Sequence, residues 1–195
     1  MIAQHKKAMN IAQAVLMRTV VLLLCVLVTA PLSAGKRAWV LVETATSTLT
    51  VMRGDRPVKK FRNISVGKGG VSLLRLKGDD TTPLGEFHIA RVKNRSMYHR
   101  FYEFDFPTLE HAEAAFKTGL IDLGTYRDIS TAVQRKSLPP QNTALGGHLG
   151  IHGIGSGNRR VHDQFNWTNG CIALTNEQID ALRPWLQIGT KVVVR

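Results

Sequence analysis

The sequence predicts a mainly β domain with a few short α-helices, and three observations predict it. Short β-rich runs recur along the chain, among them "AWVLVET", "TLTVMRG", "RFYEFDFP" and "GTKVVVR", bounded by turn-forming or polar residues. Helical spacing is confined to brief stretches such as "TLEHAEAAFKTG" and "TNEQIDALRPWL". Past the first 34 residues there is no internal repeat, low-complexity tract or second linker. A chain of 195 residues is then one domain with a core of its own.

Residues 1–34 read as a secretory signal peptide. Lys6, Lys7 and Arg18 stand there without an acidic residue, residues 20–28 are uninterruptedly apolar, and Pro31, Ser33, Ala34 and Gly35 form a small-residue exit. The apolar run is shorter than the roughly 20 residues that a bilayer span needs. Extending it back through residues 11–17 crosses Arg18, which leaves an uncleaved membrane anchor as the alternative. "LLLC" lacks the small residue that a lipoprotein signal puts before its cysteine. The expected mature protein is therefore residues 35–195, exported to the periplasm or cell envelope.

The elements of that portion follow in order. "AWVLVET" and "TLTVMRG", separated by residues 45–47, form a hairpin pattern, and "KKFRNISVGKGG" extends it before ending in glycines. "LKGDDTTPLGEFHIARV" is a loop followed by a strand, with Pro83 and Gly85 suited to a tight turn. "RFYEFDFP" alternates aromatic and charged residues, as a half-buried strand does, and stops at Pro107. Leu109, Ala112, Ala115 and Phe116 then fall at helical spacing, and Gly119 ends the helix; Thr108 and His111 do not make a full capping box. "DISTAVQRKSLPPQNTALGG" carries a short helical hint and then a loop at Pro139 and Pro140. "HLGIHG" reads as a short strand, and residues 154–170 as a long polar loop, a length more often functional than not. "CIAL" alternates into the interior, Thr175 and Gln178 form a capping box for a helix disturbed by Pro184, and "GTKVVVR" is the last strand.

Composition narrows the partners. The net charge is +12, and removal of Lys6, Lys7 and Arg18 with the leader leaves +9. Such a balance favours polyanions, and for an exported chain these are anionic lipid or wall polymer. No dense Lys/Arg block or base-stacking motif is present, so nucleic acid is not an expected partner.

Loss of the leader would also remove Cys25, leaving Cys171 as a lone thiol in an oxidising compartment, where it pairs between chains, reacts or is buried as a small hydrophobe. A nucleophilic thiol needs a base. His148, His152 and His162 are the available imidazoles. On a strand, His148 and His152 share one face with Gly150. Gly153 after His152 lets another segment approach, and Gly170 before Cys171 permits a tight backbone whose N–H groups can hold an oxyanion. The same histidines with Cys171 are legitimate zinc ligands. The glycines serve backbone approach better than a metal knuckle, so no metal is expected.

In this chain "IHG", a loop and then "WTNGCIALTNEQID" follow "GDDTTPLGEF" and "FYEFDFP". This ordered set of segments resembles the L,D-transpeptidase catalytic domain, also called the YkuD domain, over roughly residues 38–195. The family pattern, a histidine in "IHG" and then Ser/Thr-x-Gly-Cys, falls on His152, Gly153, Thr168, Gly170, Cys171 and Ile172. Many members have a second histidine where this chain has Asn169, and the gap between the two motifs is slightly longer here.

The resemblance implies a single β-sandwich or barrel catalytic domain over residues 35–195. It implies Cys171 as nucleophile and His152 as base, Gly170 and Gly153 at the oxyanion, and Thr168, Trp167, Asn169, Arg159 and Arg160 around the substrate. Arg159 and Arg160 are equally well explained as a solvated loop face. The implied substrate is a peptidoglycan stem peptide, joined through a Cys171 thioester to an amine acceptor: diaminopimelate, a D-amino acid or a wall-linked protein. No cofactor is needed. Rival readings are a hydrolase on the same fold (an L,D-carboxypeptidase, or an amidase releasing wall-bound protein) and a zinc-binding or non-catalytic wall-binding domain.

Overall fold

The computed structural model describes residues 37–195. The expected leader lies outside the described residues, and among these no helix is long and apolar enough to cross a membrane. The chain opens on an antiparallel meander: β1 (Ala38–Glu43), β2 (Thr48–Arg53) and β3 (Arg56–Arg62). Ser47, at φ 48, completes the turn between the first two. Two short parallel strands, β4 (Val71–Ser72) and β5 (Thr82–Pro83), bracket the loop that holds Arg75. A long hairpin follows, β6 (Gly85–Ser96) and β7 (His99–Phe104). Two helices, α1 (Leu109–Lys117) and α2 (Leu123–Gln134), precede β8 (Gly150–Gly153). The chain ends with α3 (Arg159–Gln164), β9 (Ile172–Leu174), α4 (Asn176–Leu182) and β10 (Lys191–Val194).

Eight strands make one sheet in the order β3-β2-β1-β10-β6-β7-β8-β9. The first and last strands of the chain pair in parallel at its centre, Val40 beside Val192. The sheet does not end freely at β9. The segment leaving β3 crosses over and bonds to the far side of β9: Ser65 N–H donates to the Ala173 carbonyl at 3.0 Å, and Ala173 N–H to the Ser65 carbonyl at 2.8 Å. Lys68 N–H continues the seam to the Thr168 carbonyl at 2.9 Å. The outer edge of β9 is thus covered by the segment that follows β3.

The core follows from alternation along these strands. Val40, Val42, Leu49, Val51, Phe87, Phe104, Ile151, Ile172, Leu174, Val192 and Val194 are buried in one cluster. Phe87 and Phe104 stack with ring centroids 5.0 Å apart. Thr175 and Gln178 form the capping box read from the sequence and start α4, whose Ile179 and Leu182 are buried. Thr108 instead turns its hydroxyl to His111 Nδ1 at 2.7 Å.

Three local readings change. The alternation of "RFYEFDFP" describes a half-buried strand, yet β7 is buried without a break from Phe101 to Phe104, Glu103 included. The reason is position: β7 lies between β6 and β8 and is covered by α4. The long polar loop contains a helix, α3, started by the Asn158 side chain accepting from Arg160 N–H and supported by Arg159 and Asp163 at one-turn spacing. His148 does not share a strand with His152, because β8 begins at Gly150 and His148 sits at φ 55 in a tight turn after Gly146 and Gly147.

Candidate active site

Strand register brings the thiol and the imidazole together. β8 and β9 run parallel with Ile151 opposite Ile172 and His152 opposite Ala173. Residues opposite each other point to the same face, as do residues two apart on one strand. Cys171 stands two before Ala173, so it shares the face of His152. Both side chains line one cavity of about 760 Å³.

His152 is fixed in one tautomer. Its Nδ1 lies 2.7 Å from the Gly153 carbonyl oxygen, which only accepts, so Nδ1 carries the proton and Nε2 is left as the basic nitrogen. The ring is 2% exposed. Tyr98, Phe101 and Trp167 surround it at ring-centroid distances of 4.3, 6.1 and 5.9 Å. Burial lowers its pKa from 6.5 to about 4, against the opposing pull of the Gly153 carbonyl and with a small addition from His162.

Cys171 is the only described cysteine, partly exposed at the start of β9. Loss of hydration around the sulfur raises its pKa from 9.0 to about 11. The Gly150 N–H and the Arg75 charge oppose that rise, while Glu103 adds to it. The thiol donates weakly to the His148 carbonyl at 3.7 Å. With the sulfur pushed up and the imidazole pushed down, the resting pair is neutral thiol and neutral imidazole, not an ion pair.

The turn before the thiol is tied down by Thr168. Its hydroxyl donates to the Cys171 carbonyl at 2.6 Å and accepts from Gly170 N–H at 3.2 Å. Gly170 has φ +118, and a Cβ there would lie 2.6 Å from the Thr81 carbonyl oxygen and 2.8 Å from Arg75 Nη1. Only glycine fits. Gly153 is also tightly enclosed, since a Cβ would meet Asn176 Oδ1 at 2.7 Å, and it turns its carbonyl to His152.

Of the other residues singled out from the sequence, Thr168, Trp167, Asn169 and His148 line the cavity with Cys171. Arg159 and Arg160 lie exposed on α3 and line neither this cavity nor its neighbour. Arg159 is taken up by Asp163 at 2.9 Å. His162 is buried outside the cavity, and its Nδ1 accepts from Trp167 Nε1 at 3.2 Å. It thereby anchors the indole that packs on His152, and burial holds it below the usual histidine range. Among the described residues no group of three or more His, Cys, Asp or Glu is placed to hold a metal.

Two charged residues beside the thiol were not found by sequence reasoning. Arg75 is 4% exposed and Glu103 is 0% exposed. Arg75 stands in "LLRLKGDD", where a single cation inside an apolar run was the available signal. Glu103 had none, because its strand pattern mimics a solvent-facing position.

Residues 37–194 match the model of the L,D-transpeptidase catalytic domain, YkuD. No curated protein sequence matches significantly. Among solved structures, the helical cell shape determining protein Pgp2 from Campylobacter jejuni is similar at TM-score 0.55 and 20% identity, over 82% of this chain and 47% of that one. Bd1075 of Bdellovibrio bacteriovorus is similar at TM-score 0.52 and 16% identity, over 85% of this chain and 50% of that one. This chain therefore spans about half the length of either protein, and the likeness is one of fold. On the match to residues 37–194, the chain belongs to the L,D-transpeptidase catalytic domain family.

Proposed function

We propose that this protein is an exported cysteine L,D-transpeptidase that acts on peptidoglycan stem peptides through a Cys171 thioester. The observation that carries the reading is the pairing of Cys171 with a tautomer-locked His152 on one face of β8 and β9, in one cavity. Family membership supports the substrate class, and the cationic Lys93 and Arg95 on the cavity wall suit a ligand rich in carboxylates. The expected leader and the wall substrate together support a location in the periplasm or cell envelope.

In the reaction, Cys171 Sγ attacks the carbonyl of the third stem residue while His152 Nε2 takes the thiol proton. Arg75 lowers the cost of charge on the sulfur as the proton leaves. Gly170 N–H is engaged by Thr168, so the oxyanion falls to the Cys171 N–H, and Gly153 serves by holding the histidine. His152 then passes its proton to the departing D-alanine amine, leaving the thioester for an acceptor amine. Trp167 and Thr168 shape the pocket, and Asn169 stands at its rim.

The test is intact-mass spectrometry of the full-length chain incubated with a disaccharide-tetrapeptide, with Cys171→Ala as control. The expected result is a covalent adduct on the wild-type protein only, resolving to an exchange or crosslinked product when an amine is supplied. Resolution to tripeptide alone would make the enzyme a carboxypeptidase. Absence of any adduct on folded, reduced protein would overturn the thioester reading.

A further inference from the structure

A second cavity of about 380 Å³ adjoins the first, and Gly147, His148 and Asn169 stand in the walls of both. His148 is held at the junction. Its N–H donates to Gln141 Oε1 at 2.6 Å, and its imidazole is 67% exposed. Nδ1 lies 2.8 Å from Glu103 Oε1. A carboxylate accepts, so Nδ1 carries the proton and Nε2 is left as a base. Glu103 is fully buried and opposes ionisation of Cys171. Its two oxygens are divided between Arg91, whose Nε lies 3.4 Å from Oε2, and the imidazole of His148, which Oε1 orients.

The second cavity also has a cationic wall. Arg75 and Lys77 line it. Arg75 is more than nine-tenths buried, its Nε and Nη1 lack hydrogen-bond partners, and Asp79 comes no nearer than 3.8 Å to Nε. Asp80, in the same wall, is engaged by Lys68 at 3.1 Å. A wall of this kind favours a carboxylate.

We propose that the second cavity seats the acceptor, an amine with a neighbouring carboxylate as in an amino acid, and that His148 is the base for its attack. The inference rests on the thioester reading above. The acceptor carboxylate faces Arg75 and Lys77, and its uncharged amine faces His148. The amine nitrogen forms a bond to the thioester carbon and the C–S bond breaks. Its electron pair leaves on Cys171, and the amine proton passes to His148 Nε2. His148 then returns a proton to the sulfur through water. Glu103 is a positioning residue in this scheme, and His148 a catalytic one.

The test supplies full-length wild type, His148→Asn and Lys77→Met with disaccharide-tetrapeptide and either D-methionine or D-methioninamide. Asparagine is chosen because it tolerates positive φ. Acyl-enzyme is followed by intact mass and product by chromatography. Wild type is expected to prefer the free acid by about tenfold, the effect of one charge-assisted hydrogen bond, and Lys77→Met to lose most of that preference. His148→Asn is expected to accumulate acyl-enzyme while product formation falls about 100-fold, the contribution of one general base. A merely structural role for His148 would lower acylation as well. Equal use of the two acceptors by wild type, or wild-type turnover of the acyl-enzyme by His148→Asn, overturns the proposal. Failure of wild type to acylate overturns the thioester reading itself, and this one with it.

Discussion

Acidification should unload a defined amount of stability through one side chain, His152. The ring is 2% exposed and its pKa falls from 6.5 to about 4 on folding. Between these values the unfolded chain binds a proton and the native protein does not. The stabilisation is therefore complete above about pH 6.5 and is lost as pH falls toward 4. The gap of roughly two and a half pH units is worth about 3 kcal/mol. His111 and His162 are also held below the usual histidine range by burial and act with the same sign, so the measurement is a difference. Wild type and His152→Gln are unfolded in denaturant at a series of pH values from about 7 to 4. Wild type is expected to lose about 3 kcal/mol more than the variant across that range. On the proposed mechanism, acylation by wild type should fall with an inflection near pH 4 rather than near 6.5, because protonation would remove the base. Parallel loss of stability in the two proteins would refute the reasoning.

Thr168→Val removes the 2.6 Å bond to the Cys171 carbonyl and should cost about 1–2 kcal/mol in denaturant unfolding, with at least a tenfold slower acylation. Gly170→Ala forces a Cβ into the Thr81 carbonyl at φ +118 and should destabilise by about 2 kcal/mol or more, seen as a lower melting temperature, with loss of acylation. Arg75→Met removes the charge that favours the thiolate, so alkylation of Cys171 by iodoacetamide should slow and its pH profile should move upward. An unchanged profile would remove Arg75 from the account of the nucleophile.

Much of the fold was legible because the strands near the chain ends alternate cleanly and their turns carry the expected residues. That Cys171 and His152 come to one cavity was legible through motif order, and the capping box of Thr175 and Gln178 through its spacing. What escaped depends on contacts between distant segments. Glu103 looked solvent-facing because periodicity reports one strand and not the neighbours that cover it. Arg75 drew no reading, because only closure of the loop around it brings it beside Gly170. The α3 helix lacks an apolar stripe and rests on the Asn158 cap and one exposed ion pair, which a hydrophobic pattern does not register. His148 and His152 looked alike by spacing, but the turn at Gly146 and Gly147 separates them into a loop residue and a strand residue.

The bonding of β9 on both sides also fixes when the site comes into being. Its partners on one side are β8, and on the other the segment around Ser65, whose hydroxyl donates to the Phe165 carbonyl 100 residues further along. Contacts so distant in sequence form late, after loop closure has been met by other pairings. The central pairing of β1 with β10 makes the same demand on the whole length of the chain. An incompletely folded polypeptide would then carry Cys171 as an ordinary thiol, with no imidazole beside it and no Arg75 behind it. On the proposed thioester chemistry, reactivity would be acquired only when the last strand docks.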